Sequence, residues 1–468
     1  MRFSHGSSVV MFILAGVTCS GIISAQQKVT LPQQWEGTVQ APNKKIGVLV
    51  SIVGTVRGLT AASIARIDEK RGEVPVFPCL WQMPDAETVR VIDTTGNVRF
   101  EGKLADNRRT IIGSWADGPT TLPLTLKSSA GANSKTFDNA TATESPAVET
   151  ISFQSATGAT YDAKLYRPRG VKHPPGAVFI PGGDVIEPTD PLSQMLIEFS
   201  VGQFARHGLA LLWIQYKGQG KLDVPLKMSA TDLAAAMALL RKRTDIDAQR
   251  VGLIGYGTGG IATLLAADSG AEPNFLVLLA TPLVPAEQAQ AQTAYGMNRR
   301  SGASPQSSEQ SKAITLGLFD LVKRGASEHE KEQWISEKAA GNAESRRKLV
   351  SAMHSLARPR LLDYLHLDVA QILSRVACPT LAVYGSDDLM TPPEPNTAIL
   401  RQVALKANGV SIQSRELPGL DHGLRAMRAG LLPDYSFDDV VYDTTVNLAA
   451  GKSQRPEDEW KGVKKQIK

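Results

Sequence analysis

The sequence has few cysteines, few aromatic residues and no dominant charge. Three cysteines occur among 468 residues, and 6% of the residues are aromatic. Such low cysteine usage excludes a disulfide scaffold, and we predict that Cys79 and Cys378 are buried free thiols, although one bridge between them is an alternative. Lys and Arg outnumber Asp and Glu by 51 to 46, and no long block of one sign suggests nucleic-acid binding. The basic residues 452–468 are expected to form a solvated tail.

The first 25 residues have the pattern of an export leader. Arg2 supplies a positive end, residues 9–23 are mostly apolar, and 23–25 offer a cleavage site, so we expect the mature chain to start near Gln26. A retained N-terminal anchor is the alternative. The apolar run is shorter than the ~20 residues of a spanning helix, and no other run approaches that length. We therefore predict a periplasmic or secreted protein with no integral membrane segment after leader cleavage.

Two different residue patterns divide the mature chain. Residues 26–127 alternate short apolar and polar runs with turn residues, which predicts a β-rich domain. Residues 128–148 are rich in Ser, Ala, Thr, Asn and Gly, a composition typical of a linker. Residues 149–451 begin with a predicted hairpin and continue with short, fully apolar runs separated by helical stretches. Such runs are typical of parallel strands buried on both faces, so this part is predicted to be an α/β domain.

Helical patterns occur between these runs. One helix is predicted to begin at Ser229, because Asp232 three residues later gives a pattern close to a capping box. A polar stretch, 285–374, is predicted to be a helical insert before the next strand. Three bulky side chains of the insert are expected to pack in its core more readily than to line a pocket: Trp334, Met353 and Tyr364.

The segment VGLIGYGTGGIA (251–262) has two interpretations. Gly255, Gly257 and Gly260 match the G-x-G-x-x-G dinucleotide fingerprint between a strand and a helix. A dinucleotide-binding unit normally opens its domain with this turn and has an acidic residue at the end of the next strand. Here other strands precede the turn, and FLVLLATP (275–282) contains no Asp or Glu, so this interpretation is disfavoured.

The second interpretation is a nucleophile elbow, G-x-S-x-G. In an elbow, a tight strand-to-helix turn raises a side chain above the sheet, and the next backbone N–H helps to form an oxyanion hole. Gly255 and Gly259 supply the small flanks, and Gly257 occupies the serine position. Acid and base candidates follow in the expected chain order, Asp388 in YGSDDLMTPP and His422 in LPGLDHGL.

Together these motifs resemble the exported bacterial α/β-hydrolases of the serine aminopeptidase and carboxylic ester hydrolase type that carry a β-rich N-terminal domain. IIGSWADGPTTLPLTL (111–126) is similar to the segment that closes that N-terminal domain. The resemblance spans nearly the whole mature chain. It implies a mostly parallel eight-stranded sheet with flanking helices, and a helical cap formed by 285–374.

The resemblance also implies roles for single residues. The acid position falls on Asp388, the base on His422 and the nucleophile on Gly257. The oxyanion donors would be the backbone N–H groups of Gly183 and Thr258. The chain departs from the family after two strands, at 181–184, where Pro-Gly-Gly-Asp replaces a His- or Ser-Gly-Ser-Gly turn, and at 215–218, where Gln-Tyr-Lys-Gly replaces Asp-Lys-Arg-Gly.

Glycine at the elbow cannot form the covalent intermediate of acyl transfer. We therefore predict a catalytically impaired pseudo-hydrolase that binds a ligand or partner. The alternative is an active carboxylic ester hydrolase in which His422, oriented by Asp388, activates water, or in which Thr258 or Tyr256 replaces the serine. Retention of the Asp–His pair simply to fix two loops is also consistent with the sequence.

The resemblance points to a small-molecule ester or peptide-like ligand. We expect no cofactor and no metal, because neither H-E-x-x-H nor C-x-x-C occurs in the sequence. The sequence does not specify the oligomeric state.

Overall fold

The structure is a computed structural model, and it describes most of the chain in separate ranges. The predicted leader, most of the predicted linker, the tail beyond 452 and Gly183 lie outside these ranges. The described residues are 34–41, 44–56, 59–67, 76–93, 98–105, 108–117, 120–128, 146–154, 158, 160–182, 200–215, 224–300, 302–406, 410–424 and 439–452.

Eight antiparallel strands form a closed barrel in the N-terminal part. Each strand pairs with the next in sequence, and β1 closes the barrel by pairing with β8, where Trp35 lies opposite Ser128. The strands are β1 Gln34–Ala41, β2 Lys44–Val56, β3 Leu59–Ile67, β4 Val76–Gln82, β5 Thr88–Asp93, β6 Val98–Leu104, β7 Thr110–Asp117 and β8 Thr120–Ser128.

Apolar side chains fill the barrel interior. Alternate residues of each strand point inward, so that on β6 Phe100 and Leu104 are buried while Glu101 is exposed. Trp35 and Trp81 stack with ring centroids 5.9 Å apart. A barrel of eight strands is just wide enough for side chains to fill, and these residues have almost no accessible surface. The barrel therefore contains a packed core.

A mostly parallel eight-stranded sheet forms the centre of the C-terminal part. The strand order is β16-β15-β14-β13-β11-β12-β10-β9. Strand β10 is antiparallel to both of its neighbours, β9 and β12, and strands β11 to β16 are parallel to one another. This order is that of the α/β-hydrolase fold, and the predicted fold class is confirmed. The strands are β9 Ala147–Gln154, β10 Thr160–Arg167, β11 Gly176–Pro181, β12 Ala210–Gln215, β13 Val251–Tyr256, β14 Leu276–Leu279, β15 Thr380–Gly385 and β16 Ile412–Leu417.

Both faces of this sheet are buried, which explains the unbroken apolar runs. On β11, Val178 and Ile180 belong to the core cluster of one face, and Ala177 and Phe179 to the cluster of the other. Cys378 is buried on the first of these faces, and Cys79 is buried inside the barrel. Both cysteines are free thiols, as predicted.

The described helices all follow residue 199. Six of them lie between β14 and β15 and are joined to one another by short connections. Residues 200–206 belong to helix α1. The others are α2 Leu226–Arg241, α3 Gly259–Ala266 with a π-helical turn at Ala267–Ala271, α4 Ala286–Arg300, α5 Pro305–Lys323, α6 Glu328–Ala339, α7 Ala343–Leu356, α8 Pro359–Leu365, α9 Val369–Ser374, α10 Pro393–Ala404 and α11 Asp439–Ala449.

The predicted start of helix α2 at Ser229 is wrong. The helix begins at Leu226 with Pro225 as its N-cap, and the amide of Ser229 already donates to the carbonyl of Pro225 at 3.0 Å. The fixed φ of proline suits the start of a helix, and Pro225 makes no side-chain cap hydrogen bond. Ser229 and Asp232 are instead fully buried inside the helix.

No helix in the part of the chain that the structure describes is both long enough and apolar enough to cross a bilayer.

Candidate functional site

The turn between β13 and α3 has the backbone of an elbow. Gly257 follows the last residue of β13, and its φ of 55° lies in the left-handed region that non-glycine residues rarely adopt. Its N–H donates to the carbonyl of Leu279 at 2.8 Å, and its carbonyl accepts from the N–H of Gly260 at 3.1 Å. The chain therefore turns sharply at Gly257, and both of its backbone groups are held.

The neighbouring glycines are required by packing. A Cβ on Gly255 would overlap the backbone of Gly260, and one on Gly259 would overlap the carbonyl of Ile180 on β11. A Cβ on Gly260 would overlap the side chain of Thr281. These glycines bring α3 against β11, β13 and the end of β14, so their spacing has a structural explanation that needs no dinucleotide.

Asp388 and His422 meet at the carboxyl edge of the sheet. His422 Nδ1 lies 2.8 Å from Asp388 Oδ2, and each residue is 2% exposed. The other carboxylate oxygen of Asp388 accepts from the N–H groups of Met390 and Thr391, both at 2.8 Å. A carboxylate that accepts from Nδ1–H leaves Nε2 as the basic nitrogen of the imidazole. The pair has the orientation of a general base with its orienting acid.

Tyr256 links the elbow to the base. Its hydroxyl donates to the carbonyl of His422 at 3.0 Å, and the two rings lie 5.7 Å apart between centroids. Because Tyr256 immediately precedes Gly257, this contact places the elbow beside His422. The same hydrogen bond engages the hydroxyl with which Tyr256 would have to replace the serine nucleophile. The sequence offered no pattern from which this contact could be found.

A second tyrosine, Tyr384, lies near Asp388. Tyr384 at the end of β15 is fully buried, and its hydroxyl donates to the carbonyl of Thr281 at 2.8 Å. Burial, and secondarily the nearby charge of Asp388, raises the pKa of Tyr384 well above its usual value. The phenol therefore stays neutral over the range in which proteins fold and supports the strand end without adding a charge.

The structure describes one of the two predicted oxyanion donors, Thr258. Thr258 is 4% exposed and is the N-cap residue of α3, directly after the elbow apex. Gly183 lies outside the described residues. The oxyanion roles of both residues stay predictions.

The insert packs as a folded cap with its own links to the sheet domain. Trp334, Met353 and Tyr364 pack against the main core cluster, as predicted. The Tyr364 hydroxyl donates to the carbonyl of Val284 at 2.7 Å, and Asn396 Oδ1 accepts from the N–H of Leu283 at 2.7 Å. The segment through which the chain enters the cap is thus held by buried hydrogen bonds.

Within the described ranges, no three His, Cys, Asp or Glu side chains gather closely enough to hold a metal ion.

Comparisons with known proteins give similar folds only. No family model matches the chain. No curated protein matches it. Similar solved structures include a hypothetical protein from Pseudomonas aeruginosa, with 14% identity and a TM-score of 0.41 over 66% of this chain and 94% of that chain. A hyperthermophilic esterase from the archaeon Pyrobaculum calidifontis has 14% identity and a TM-score of 0.41 over 65% of this chain and 83% of that chain.

A third similar structure is the esterase domain of a protein from Rhodothermus marinus, with 14% identity and a TM-score of 0.37 over 65% of this chain and 98% of that chain. At such identities and scores these likenesses carry no argument about activity.

Proposed function

We propose that the protein is an α/β-hydrolase whose elbow has lost its nucleophile and whose former active site binds a ligand or partner. One observation carries this proposal: Gly257 stands at a left-handed apex beside an intact Asp388–His422 pair. Acyl transfer in this fold requires a hydroxyl or thiol at the apex to form the covalent intermediate. Glycine provides the turn but cannot form that bond.

The surrounding geometry supports a site that lacks little beyond the nucleophile. The base keeps its orienting acid at 2.8 Å, and the elbow keeps its contact with the base through Tyr256. If the serine were restored at position 257, its hydroxyl would project from the turn next to the loop of His422. We infer a ligand that is ester- or peptide-like, since a pocket derived from such a hydrolase would retain that shape.

An ester hydrolysis assay tests the proposal. The mature chain, Gly257→Ser, Gly257→Ala and Gly257→Ser/His422→Ala are compared on a short-chain nitrophenyl ester. We expect the native chain and Gly257→Ala to be inert and Gly257→Ser to turn over at least 100-fold above them. Loss of that gain in the double variant would assign it to the base. A Gly257→Ser variant that folds but stays inert would overturn the proposal.

A second candidate is an ester hydrolase that uses water. The observation that favours it is the retained, fully buried pair of Asp388 and His422, which could remove a proton from a water molecule without a covalent intermediate. This mechanism predicts that the native chain already turns over the ester and that His422→Ala abolishes turnover. The same assay therefore separates the two candidates.

We also propose that the protein acts after export, in the periplasm or outside the cell. The support is the leader-like pattern of the first 25 residues. Fractionation of cells that express the full chain, with mass spectrometry of the N-terminus, tests this. A chain that begins near Gln26 in the exported fraction is expected, and an uncleaved chain in the cytoplasm would contradict the proposal.

A further inference from the structure

We propose that one stripe of the cap helix α4 positions both members of the Asp388–His422 pair. Gln292, Gly296 and Arg300 follow one another at intervals of four residues, so they lie along one face of the helix. This inference deepens the proposed function, on which it rests, because it assigns positioning residues around the same site.

Two residues of the stripe hold the loop that carries Asp388. Gln292 Nε2 donates to the carbonyl of Leu389 at 2.8 Å. A Cβ on Gly296 would lie 2.6 Å from Met390 Cγ and 2.7 Å from the carbonyl carbon of Leu389, so only glycine lets the helix approach this closely. Because the N–H of Met390 donates to Asp388 Oδ1, a displacement of α4 would move the groups that hold the carboxylate.

The third residue of the stripe holds the loop that carries His422. Arg300 Nη2 lies 3.8 Å from Asp421 Oδ2, and Asp421 is 7% exposed and immediately precedes His422. A buried carboxylate beside an imidazole favours the charged imidazolium, and a cation paired with that carboxylate opposes this effect. We therefore expect Arg300 to influence the position of the His422 loop and, through Asp421, the charge of His422.

The other titratable groups around the base come from different elements. Asp388 contacts the imidazole from the loop after β15, and Tyr256 contacts the loop of His422 from β13. Tyr384, on β15, faces Asp388 and is neutral. Removal of Arg300 takes away a positive charge that offsets the negative charges of Asp388 and Asp421. We therefore expect the protonated form of His422 to become more favourable.

A histidine titration of the native full chain tests this inference without any activity. Selectively labelled histidine is followed by NMR, and the His422 resonance is assigned with His422→Gln. We expect Arg300→Gln to move the titration midpoint of His422 to higher pH and Arg300→Lys to restore most of it. The control is Arg299→Gln, which removes the same charge one residue away, where Arg299 Nη1 donates to the carbonyl of Ala303 at 2.7 Å. An unchanged midpoint in Arg300→Gln, or an equal shift in Arg299→Gln, would overturn the inference.

Turnover by the restored enzyme gives a second test. In the Gly257→Ser background, Gln292→Ala is expected to lower kcat about tenfold with KM within about twofold, since small displacements of catalytic groups cost rate more than binding. The control is Gln288→Ala, an exposed residue one turn earlier on α4. Equal kcat values for the two variants would contradict the inference. If Gly257→Ser is itself inert while the titration behaves as expected, the proposed function fails and the positioning role stands.

Discussion

Substitution of the elbow glycines by alanine tests how the turn is built. An alanine at position 257 would have to adopt the left-handed φ of 55° that Gly257 has. That conformation costs an L-residue about 1–2 kcal/mol, and the smaller entropy of an unfolded chain with alanine returns about 0.4–1 kcal/mol. The net loss of unfolding free energy for Gly257→Ala is therefore about 1 kcal/mol.

The matched variants separate strain from overlap. Gly270 has φ of 90° and open space where a Cβ would lie, so Gly270→Ala should also cost about 1 kcal/mol. Gly255→Ala forces a Cβ into the backbone of Gly259 and Gly260, and this overlap should cost about 3 kcal/mol or prevent folding.

Urea unfolding followed by circular dichroism at the helix band measures these values. All described helices lie after residue 199, so this band reports the α/β-hydrolase part. Gly257→Ala should lower the unfolding free energy by as much as Gly270→Ala and by clearly less than Gly255→Ala. A Gly257→Ala variant as damaging as Gly255→Ala would show that the apex has no room for a side chain, and the elbow interpretation would be wrong.

Three further predictions concern the pair, an ion-pair network and the thiols. Asp388→Ala deprives three buried donors of their acceptor and should lower the unfolding free energy by about 2–4 kcal/mol in the same assay; a loss below 1 kcal/mol would contradict the buried geometry. The side-chain hydrogen bond from Arg243 lowers the pKa of Asp245, so its stabilisation is present above pH 3.8 and is lost as pH falls through the lowered value. Arg243→Gln should lower the unfolding free energy by less than about 1 kcal/mol, because solvent screens this ion pair. The loss should shrink on acidification, and a loss that grows would contradict the prediction. Burial raises the pKa of the Cys378 thiol to about 12, and Cys79 is fully buried. Neither thiol should therefore react with a thiol reagent at pH 8 until the chain unfolds. Rapid stoichiometric labelling of the folded protein would refute this prediction.

Local patterns were sufficient to predict most of the fold. On β11, Val178 and Phe179 face opposite clusters, and both clusters exclude water, so the run of apolar residues identified a strand buried on both sides. Closure of the barrel could not be predicted in this way, because it depends on pairing between Trp35 and Ser128, which are far apart in sequence. Alternation specifies which face of a strand is buried but not which strands become neighbours.

The pairing of Asp388 with His422 was predictable because chain order and strand ends placed them at one edge of the sheet. The contacts of Gly296 and Arg300 were not, since a glycine and an arginine within a polar helix have no distinctive spacing until the partner loops are known. The misplaced start of α2 has a similar cause. Ser229 and Asp232 match a cap pattern locally, but both are buried within α2, and Arg360 Nη1 of the cap lies 3.3 Å from the Ser229 hydroxyl oxygen.

Covalent labelling tests the proposed loss of the nucleophile at Gly257. The native mature chain and Gly257→Ser are treated with a fluorophosphonate, and the intact masses are measured. We expect no adduct on the native chain and one adduct on Gly257→Ser, located by peptide mapping at residue 257 and formed much more slowly when His422→Ala is added. A stoichiometric adduct on the native chain at Tyr256, Thr258 or any other residue near His422 would contradict it, because the protein would then possess an activated nucleophile.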